Sequence, residues 1–436
     1  MKKITVIGAG LAGCEAAYVA SRLGVLVDLI EMKPHKKSPA HKTDNFAELV
    51  CSNSLKANRV DSAAGLLKQE MRHLHSLCLT AADRAQVPAG GALAVDRNIF
   101  SDYITNKIKS CDNINVINCV VDKIPSDTVC VVATGPLTDG ALAAHIEAFT
   151  GMGNLNFYDA AAPIVSADSI DFSSAFIASR YDRDDTGVGD YINCPMNKDE
   201  YEAFHTALIS AEGAPLHEFD KQIKVYEGCM PIEVLAKRGA DSIRFGPLKP
   251  VGLRDPKTGH RPWAVVQLRK ENASGSMYNL VGFQTNLKFS EQKRVFSMIP
   301  ALKNAEFLRY GVMHRNSFIN SPQLLKRDLS LKKSDNIFFA GQLSGVEGYM
   351  ESAASGIIAG INAANKVLGK DPIILPNYTM IGALLGYIAD DTVSNFQPMG
   401  ANFGILPPLE THIRDKRERY AALADRALDY FKTIGE

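Results

Sequence analysis

Two of the eight cysteines, Cys51 and Cys229, stand in turns instead of apolar strands, and a thiol in a polar turn can act as a nucleophile or base where one sealed in a core stays inert. Cys51 lies in Leu49-Val50-Cys51-Ser52-Asn53-Ser54-Leu55-Lys56, among residue types that cap helices. Cys229 lies in Tyr226-Glu227-Gly228-Cys229-Met230-Pro231, directly before an expected helix with Pro231 at its first position. A helix N-terminus stabilises a thiolate, Lys237 and Arg238 would add to that, and Glu227 would act the other way. Cys130, between Val129 and Val131, reads as a core residue. No CxxC pair occurs, so the thiols read as reduced and cytosolic, not as a disulfide scaffold. No HExxH occurs either, and His73-Leu74-His75 alone does not make a ligand pair, so no metal is expected.

Reactive thiols need an element that brings them a cofactor, and the first 31 residues supply one. An apolar strand, Ile4 to Ile7, runs into Gly8-Ala9-Gly10-Leu11-Ala12-Gly13, a helical run to Leu23, and a second strand from Val25 to Ile30 that ends on Glu31. Gly8 permits the tight turn, Gly10 lets backbone approach a pyrophosphate, Gly13 lets helix and strand pack closely, and Glu31 can accept a ribose hydroxyl. Two distant segments look like parts of the same dinucleotide domain. Val129 to Ala133 is a buried-type strand ending in Thr134-Gly135-Pro136. Ile337 to Ala340 is another, followed by Gly341-Gln342-Leu343-Ser344-Gly345 and, after Glu351-Ser352, a helix to about Leu368 kept thin by Ala353, Ala354, Gly356, Ala359 and Gly360. Such a helix can lie against a flavin ring with its dipole on the ring's electron-rich edge, or its small residues can serve close helix packing alone. Gly151-Met152-Gly153 and Gly187-Val188-Gly189 are not followed by matching helices, so a nicotinamide would be admitted transiently and not held in a module of its own.

The 436 residues allow two or three domains, and 46% apolar with 22% charged residues is a soluble globular composition. No apolar run approaches the roughly 20 residues of a membrane span. Met1-Lys2-Lys3 followed by Leu11-Ala12-Gly13-Cys14 imitates a lipoprotein signal, but the apolar core is too short and glycine-rich, and a cytoplasmic location is expected. Net charge is zero, yet Lys237 to Lys270 carries nine basic residues (Lys237, Arg238, Arg244, Lys249, Arg254, Lys257, Arg261, Arg269, Lys270) against Asp241 and Asp255. That run is either an RNA-facing surface or a solvated basic face. A smaller cluster, Lys33 to Lys42, includes His35 and His41. The organisation expected is α/β: a Rossmann-like FAD-binding domain made of 1–190 and 303–436, with a smaller α+β domain, 191–302, inserted and facing substrate and RNA. Within it a helix is expected over Asp199 to Ala211, and an amphipathic C-terminal helix over Leu409 to Lys432, with Ile413, Tyr420, Leu423 and Leu428 near one face.

Gly8 to Gly13, Cys51-Ser52-Asn53-Ser54, Glu227-Gly228-Cys229-Met230-Pro231, and Ala340-Gly341-Gln342 through Gly345-Val346-Glu347-Gly348-Tyr349-Met350-Glu351-Ser352-Ala353-Ala354-Ser355-Gly356 together resemble the bacterial folate- and FAD-dependent tRNA uracil-5 methyltransferases. The resemblance spans nearly the whole chain. It implies FAD held by Gly8, Ala9, Gly10, Leu11, Ala12, Gly13, Glu31, Thr134, Gly135, Gly341, Gln342, Tyr349, Glu351, Ser352 and Ala353. It also implies transfer of the methylene of 5,10-methylenetetrahydrofolate to carbon 5 of a uridine in the tRNA T-loop, with NAD(P)H recharging the flavin. By the same resemblance Cys229 is the nucleophile and Cys51 the assisting thiol or base. A related enzyme that modifies wobble uridines of tRNA is longer, with a C-terminal helical domain. The same chemistry on a ribosomal RNA uridine remains an alternative. So does a small-molecule flavin oxidoreductase, against which stands the missing cysteine pair near the first helix, and so does an RNA-binding module without turnover.

Overall fold

The structure is a computed structural model that describes residues 2–38, 40–151, 153, 155–182, 189–214, 230–394 and 396–434. The chain opens with β1 (Lys3–Ile7), α1 (Leu11–Arg22) and β2 (Leu26–Glu31), within a residue of the sequence reading. Then come β3 (Ser54–Ala57), α2 (Ala63–His73), α3 (Leu77–Arg84), β4 (Gln86–Val87), β5 (Ala92–Val95), α4 (Arg97–Lys109), β6 (Ile114–Asn118), β7 (Val129–Val132) and α5 (Gly140–Thr150). A long excursion follows through β8 (Leu155–Ala160), β9 (Ile164–Ser166), β10 (Phe176–Ile177), β11 (Tyr191–Met196), α6 (Lys198–Ser210), α7 (Ile232–Ala236), β12 (Ala264–Lys270), β13 (Met277–Leu280), α8 (Phe289–Phe296) and β14 (Phe307–Arg309). The chain returns by β15 (Met313–Phe318), α9 (Ser321–Leu324), β16 (Ser330–Leu331), β17 (Ser334–Phe339), α10 (Tyr349–Leu368), α11 (Met380–Ile388) and α12 (Lys416–Ile434).

The first sheet has the order β16-β17-β7-β1-β2-β6 and is parallel except for the β16–β17 edge pair. Val6 sits between Leu29 and Val131, and Val131 pairs in turn with Phe338, so the two distant strands read from sequence are neighbours of the first. Near-continuous apolar runs such as Val129-Cys130-Val131-Val132 suit strands buried on both faces. Helix α10 lies on α1, and the small residues explain how closely. A Cβ on Gly356 would come 2.2 Å from the Ala12 carbonyl oxygen, and one on Gly360 2.6 Å from that of Ala16. The thinness of α10 along these turns is therefore a packing requirement between helices, the second of the two readings above. Its N-terminal turn, not its length, faces the cofactor side.

The second sheet, β10-β11-β12-β13-β9-β14, is antiparallel and has its own core around Phe204, Phe283, Phe296 and Ile232. It draws strands from outside the expected 191–302. Strands β9 and β10 lie before those bounds and β14 after them. Strands of two or three residues are too short to show a period of two, which is why periodicity placed the edge at β11. The β8–β15 pair, with Ala160 opposite Met313, is a two-stranded ribbon by which the chain leaves the first body and re-enters it. Helix α6 begins at a capping box between Asn197 and Glu200, one residue from the expected start. The C-terminal helix starts later than expected, because the Asp415 carboxylate accepts the N–H groups of Arg417 and Glu418 and sets the start at Lys416, leaving Ile413 ahead of it. Among the described residues no helix is long and apolar enough to cross a membrane.

Candidate functional site

The carboxyl ends of β1, β2, β7 and β17 open onto one cleft, the usual place for a ligand above parallel strands. Its floor is Gly8, Ala9, Gly10, Leu11 and Ala12, and its walls include Glu31, Thr134, Gly135, Gly341, Gln342, Tyr349 and Ser352. Gly8 has φ +97° and a Cβ there would lie 2.6 Å from the Ala133 carbonyl oxygen; a Cβ on Gly13 would lie 1.7 Å from that of Gly8. Gly10 caps α1 without a side chain, so the first-turn N–H groups of that helix face the cleft as a phosphate site. These residues fit a dinucleotide: backbone is brought close where only glycine allows it, and helix dipole and free donors are left for the pyrophosphate.

Three of the anticipated cofactor residues do not line the cleft. Gly13 sits behind the turn, packed on Gly8, and Ala353 is fully buried in the core. Glu351 is buried and turned away, accepting from Lys56 Nζ at 2.7 Å and the Ala401 N–H at 3.1 Å. Glu31 lines the cleft as anticipated, but its oxygens accept the N–H groups of Ala9 (2.7 Å) and Lys33 (3.0 Å), so it also clamps the glycine turn. A carboxylate has about four acceptor positions, which leaves room for a ribose hydroxyl. The sequence reading missed Lys36, His41 and Glu48 on one wall and Cys119 to Asp122 on another. The second group follows the end of β6, and the rule that loops after parallel strands line the site would have found it.

Cys51 stands beside the cleft, in contact with both bodies of the chain. Its neighbour Val50 lines the cleft, as does Tyr349, whose hydroxyl accepts the N–H groups of Cys51 (2.7 Å) and Ser52 (3.2 Å). Its thiol lies 3.9 Å from the Ala160 carbonyl oxygen at the end of β8. Two guanidinium groups donate to the Cys51 carbonyl oxygen, Arg97 Nη2 from α4 at 3.1 Å and Arg309 Nη2 from β14 at 2.9 Å. Arg269 of β12 donates to Asn53 Oδ1 (3.1 Å) and Ser52 Oγ (2.9 Å). Arg97 is held by both oxygens of Glu271, at 2.9 and 3.1 Å. Burial pushes the Arg269 and Arg309 guanidiniums below their ordinary range, while at Arg97 burial, the largest single influence, is outweighed by the Glu271 charge, Tyr349, the Glu271 hydrogen bonds and Cys51 acting together, which hold it above. Burial also raises the Tyr349 phenol well above its ordinary value, so it stays a neutral hydroxyl.

Cys229 falls outside the described residues. Pro231 just beyond it is the N-cap of α7, one position earlier than anticipated. Cys130 is fully buried and burial pushes its thiol up to about 12, the inert core role read from its neighbours. Of the basic run, Arg269 is buried at the Cys51 turn, while Lys237, Arg238, Lys249, Arg254, Lys257 and Arg261 are exposed. Arg244 lies 3.8 Å above the Trp263 ring, and Phe245 beside it is 71% exposed. Among the described residues no group of three or more His, Cys, Asp or Glu side chains is placed to hold a metal.

A cleft of this build, over a glycine turn and closed by a second strand-and-glycine unit from the far end of the chain, defines a dinucleotide-binding flavoprotein with an attached second body. The family model described as glucose inhibited division protein A matches residues 3–371. The chain is 59% identical to the methylenetetrahydrofolate--tRNA-(uracil-5-)-methyltransferase TrmFO of Acetivibrio thermocellus over 98% of each chain. It is 57% identical to that of Enterococcus faecalis, over 98% of this chain and 97% of the relative. The fold is shared with GidA of Aquifex aeolicus, with a TM-score of 0.70 at 18% identity, over 99% of this chain and 73% of that one. The chain belongs to the glucose inhibited division protein A family, and within it to the folate-dependent tRNA uracil-5 methyltransferases.

Proposed function

We propose that this chain methylates carbon 5 of a T-loop uridine in tRNA, taking the carbon from 5,10-methylenetetrahydrofolate and working in the cytoplasm. Carbon 5 of uracil is a poor nucleophile, so a thiolate must first add to carbon 6 and turn the ring into an enolate. Carbon 5 then attacks the methylene of the folate, a base removes the carbon-5 proton as the carbon–nitrogen bond to tetrahydrofolate breaks, and the carbon 6–sulfur bond breaks as the exocyclic methylene so formed is reduced. When bound, FAD supplies the two electrons, drawn from NAD(P)H, that take the transferred methylene to methyl. Cys229 is assigned the addition to carbon 6 and Cys51 the assisting role as thiol or base. The observation that carries the reading is the place of Cys51, beside the dinucleotide cleft, with its backbone held by residues from both bodies. Around it we assign the dinucleotide cradle to 1–154 with 319–436 and the substrate-facing body to about 155–318. The exposed basic residues between Lys237 and Arg261, with the exposed Phe245 in the same run, suit contact with a phosphate backbone and a stacked base.

The test is methylation of an unmodified tRNA transcript with the label supplied either through methylenetetrahydrofolate with NAD(P)H or through S-adenosylmethionine. Label in 5-methyluridine from the folate tube alone is the expected result. No label from folate, with the flavin still reducible, overturns the reading; label in an rRNA fragment under the same conditions would move the target to the ribosome.

A further inference from the structure

Among the described residues, three guanidinium groups, those of Arg97, Arg269 and Arg309, and one carboxylate, that of Glu271, gather at the turn that carries Cys51. Glu271 takes Arg97 in a two-toothed pair and is itself 2% exposed. Among the described residues Arg269 and Arg309 donate to neutral oxygens, those of Ser52, Asn53 and Cys51, and Arg309 Nε is buried with no hydrogen-bond partner. The Glu271 charge also reaches Arg269 and Arg309, but among the described residues no carboxylate forms an ion pair with either. Tyr349 and Tyr191 are half-buried phenols raised above their ordinary range, and the Asp96 carboxylate accepts the N–H groups of Asn98, Ile99 and Ala273 instead. Buried guanidinium charge without an anion is costly, and a thiolate is the anion that this turn can provide. The arginines come from α4, β12 and β14, so the positive field forms only when the two bodies are assembled around the cysteine.

We propose that Arg269 and Arg309, with Arg97 neutralised by Glu271, are positioning residues that hold Cys51 as a thiolate at the joint between the two bodies. The proposal gives Cys51 the ionisation state that the assisting role requires. It rests on the methyltransferase reading only for what that thiolate is used for.

The test is the pH dependence of Cys51 alkylation by iodoacetamide in the full chain with flavin bound, followed on the Cys51 peptide by mass spectrometry, without RNA or folate. The midpoint in the parent protein should lie below the value of about 8.5 for a free cysteine. Arg309→Gln should raise it by about one unit and Arg309→Lys should restore most of the shift, whereas Glu271→Gln, which removes the carboxylate that neutralises Arg97, should lower it. Opposite shifts from two substitutions around the same turn are not what loosened packing would give. A parent midpoint at or above the free value, or one that neither Arg309→Gln nor Glu271→Gln moves, overturns the proposal. If Arg309→Gln does not retain flavin, the Arg309→Lys and Glu271→Gln pair decides alone. Because no substrate is present, failure of methylation leaves this result standing, and the reverse holds too.

Discussion

At the scale of single residues, the glycines of the cradle were legible in the sequence because backbone geometry alone dictates them. Gly8 and Gly13 leave no room for a side chain, and no distant partner is needed to see why. The surroundings of Cys51 were not legible. Arg97, Arg269 and Arg309 are separated by long stretches of chain and share no spacing, and only the pairing of α4, β12 and β14 around one turn gives them a common purpose. Glu31 shows an intermediate case: its place was read correctly, while its second task of clamping the Ala9 N–H depends on the turn being formed. Replacing Cys229 by alanine should abolish methylation, and Cys51→Ala should lower turnover roughly 10²–10⁴-fold, the usual contribution of a positioned proton-transfer group, with flavin retained in both. Single-turnover assays with labelled folate on flavin-loaded protein check this, and full turnover by Cys51→Ala would remove it from the chemistry.

At the scale of elements, β1, α1, β2, β7, β17, α6 and α10 lie within a few residues of the sequence reading, the C-terminal helix starts seven residues later than the expected Leu409, and β9, β10 and β14 escaped it because they are too short to show a pattern. The crossing of α10 over α1 has a direct test. Gly356→Ala puts a methyl against the Ala12 carbonyl, and overpacking of this kind costs about 1–3 kcal/mol. Thermal unfolding should show the loss, together with weaker flavin retention as the N-terminal turn of α10 shifts from the cleft. A second joint between elements depends on pH. The buried Glu70 of α2 accepts the first N–H groups of α11, from Met380 and Ile381, and burial pushes its carboxyl up to about 8 against the pull of those donors. In the unfolded chain it titrates near 4.5. Between those values the folded protein holds a proton that the unfolded chain has released. The stability contributed by this group is therefore complete below pH 4.5 and is lost as pH rises through about 8, a term on the order of a few kcal/mol. Glu70→Gln should flatten the fall in melting temperature over that window, and a parallel pair of curves would show that Glu70 does not set it.

At the scale of the whole molecule, zero net charge concealed a run of exposed lysines and arginines between Lys237 and Arg261, with the one buried arginine of the run, Arg269, turned to the Cys51 loop. Combining Lys249→Glu, Arg254→Glu and Lys257→Glu should weaken tRNA binding and make its salt dependence shallower, by about 0.7–0.9 in the log–log slope for each phosphate no longer neutralised. An unchanged slope in filter binding would place the RNA on another face. The order of the first sheet has a consequence for how the protein is made. Strand β7 ends at Val132, but the neighbour it requires, β17, begins at Ser334, after the whole of the second body. On the ribosome the amino-terminal strands must therefore wait with one bare, apolar edge while everything between is synthesised, and such an edge is a template for pairing with another chain. A polypeptide released before Phe339 should retain no flavin and should aggregate, while the body built on β9 to β14 is already complete. The cofactor thus reports the joining of two distant stretches of chain: colour should appear only once β17 and the glycine turn after it have closed the sheet.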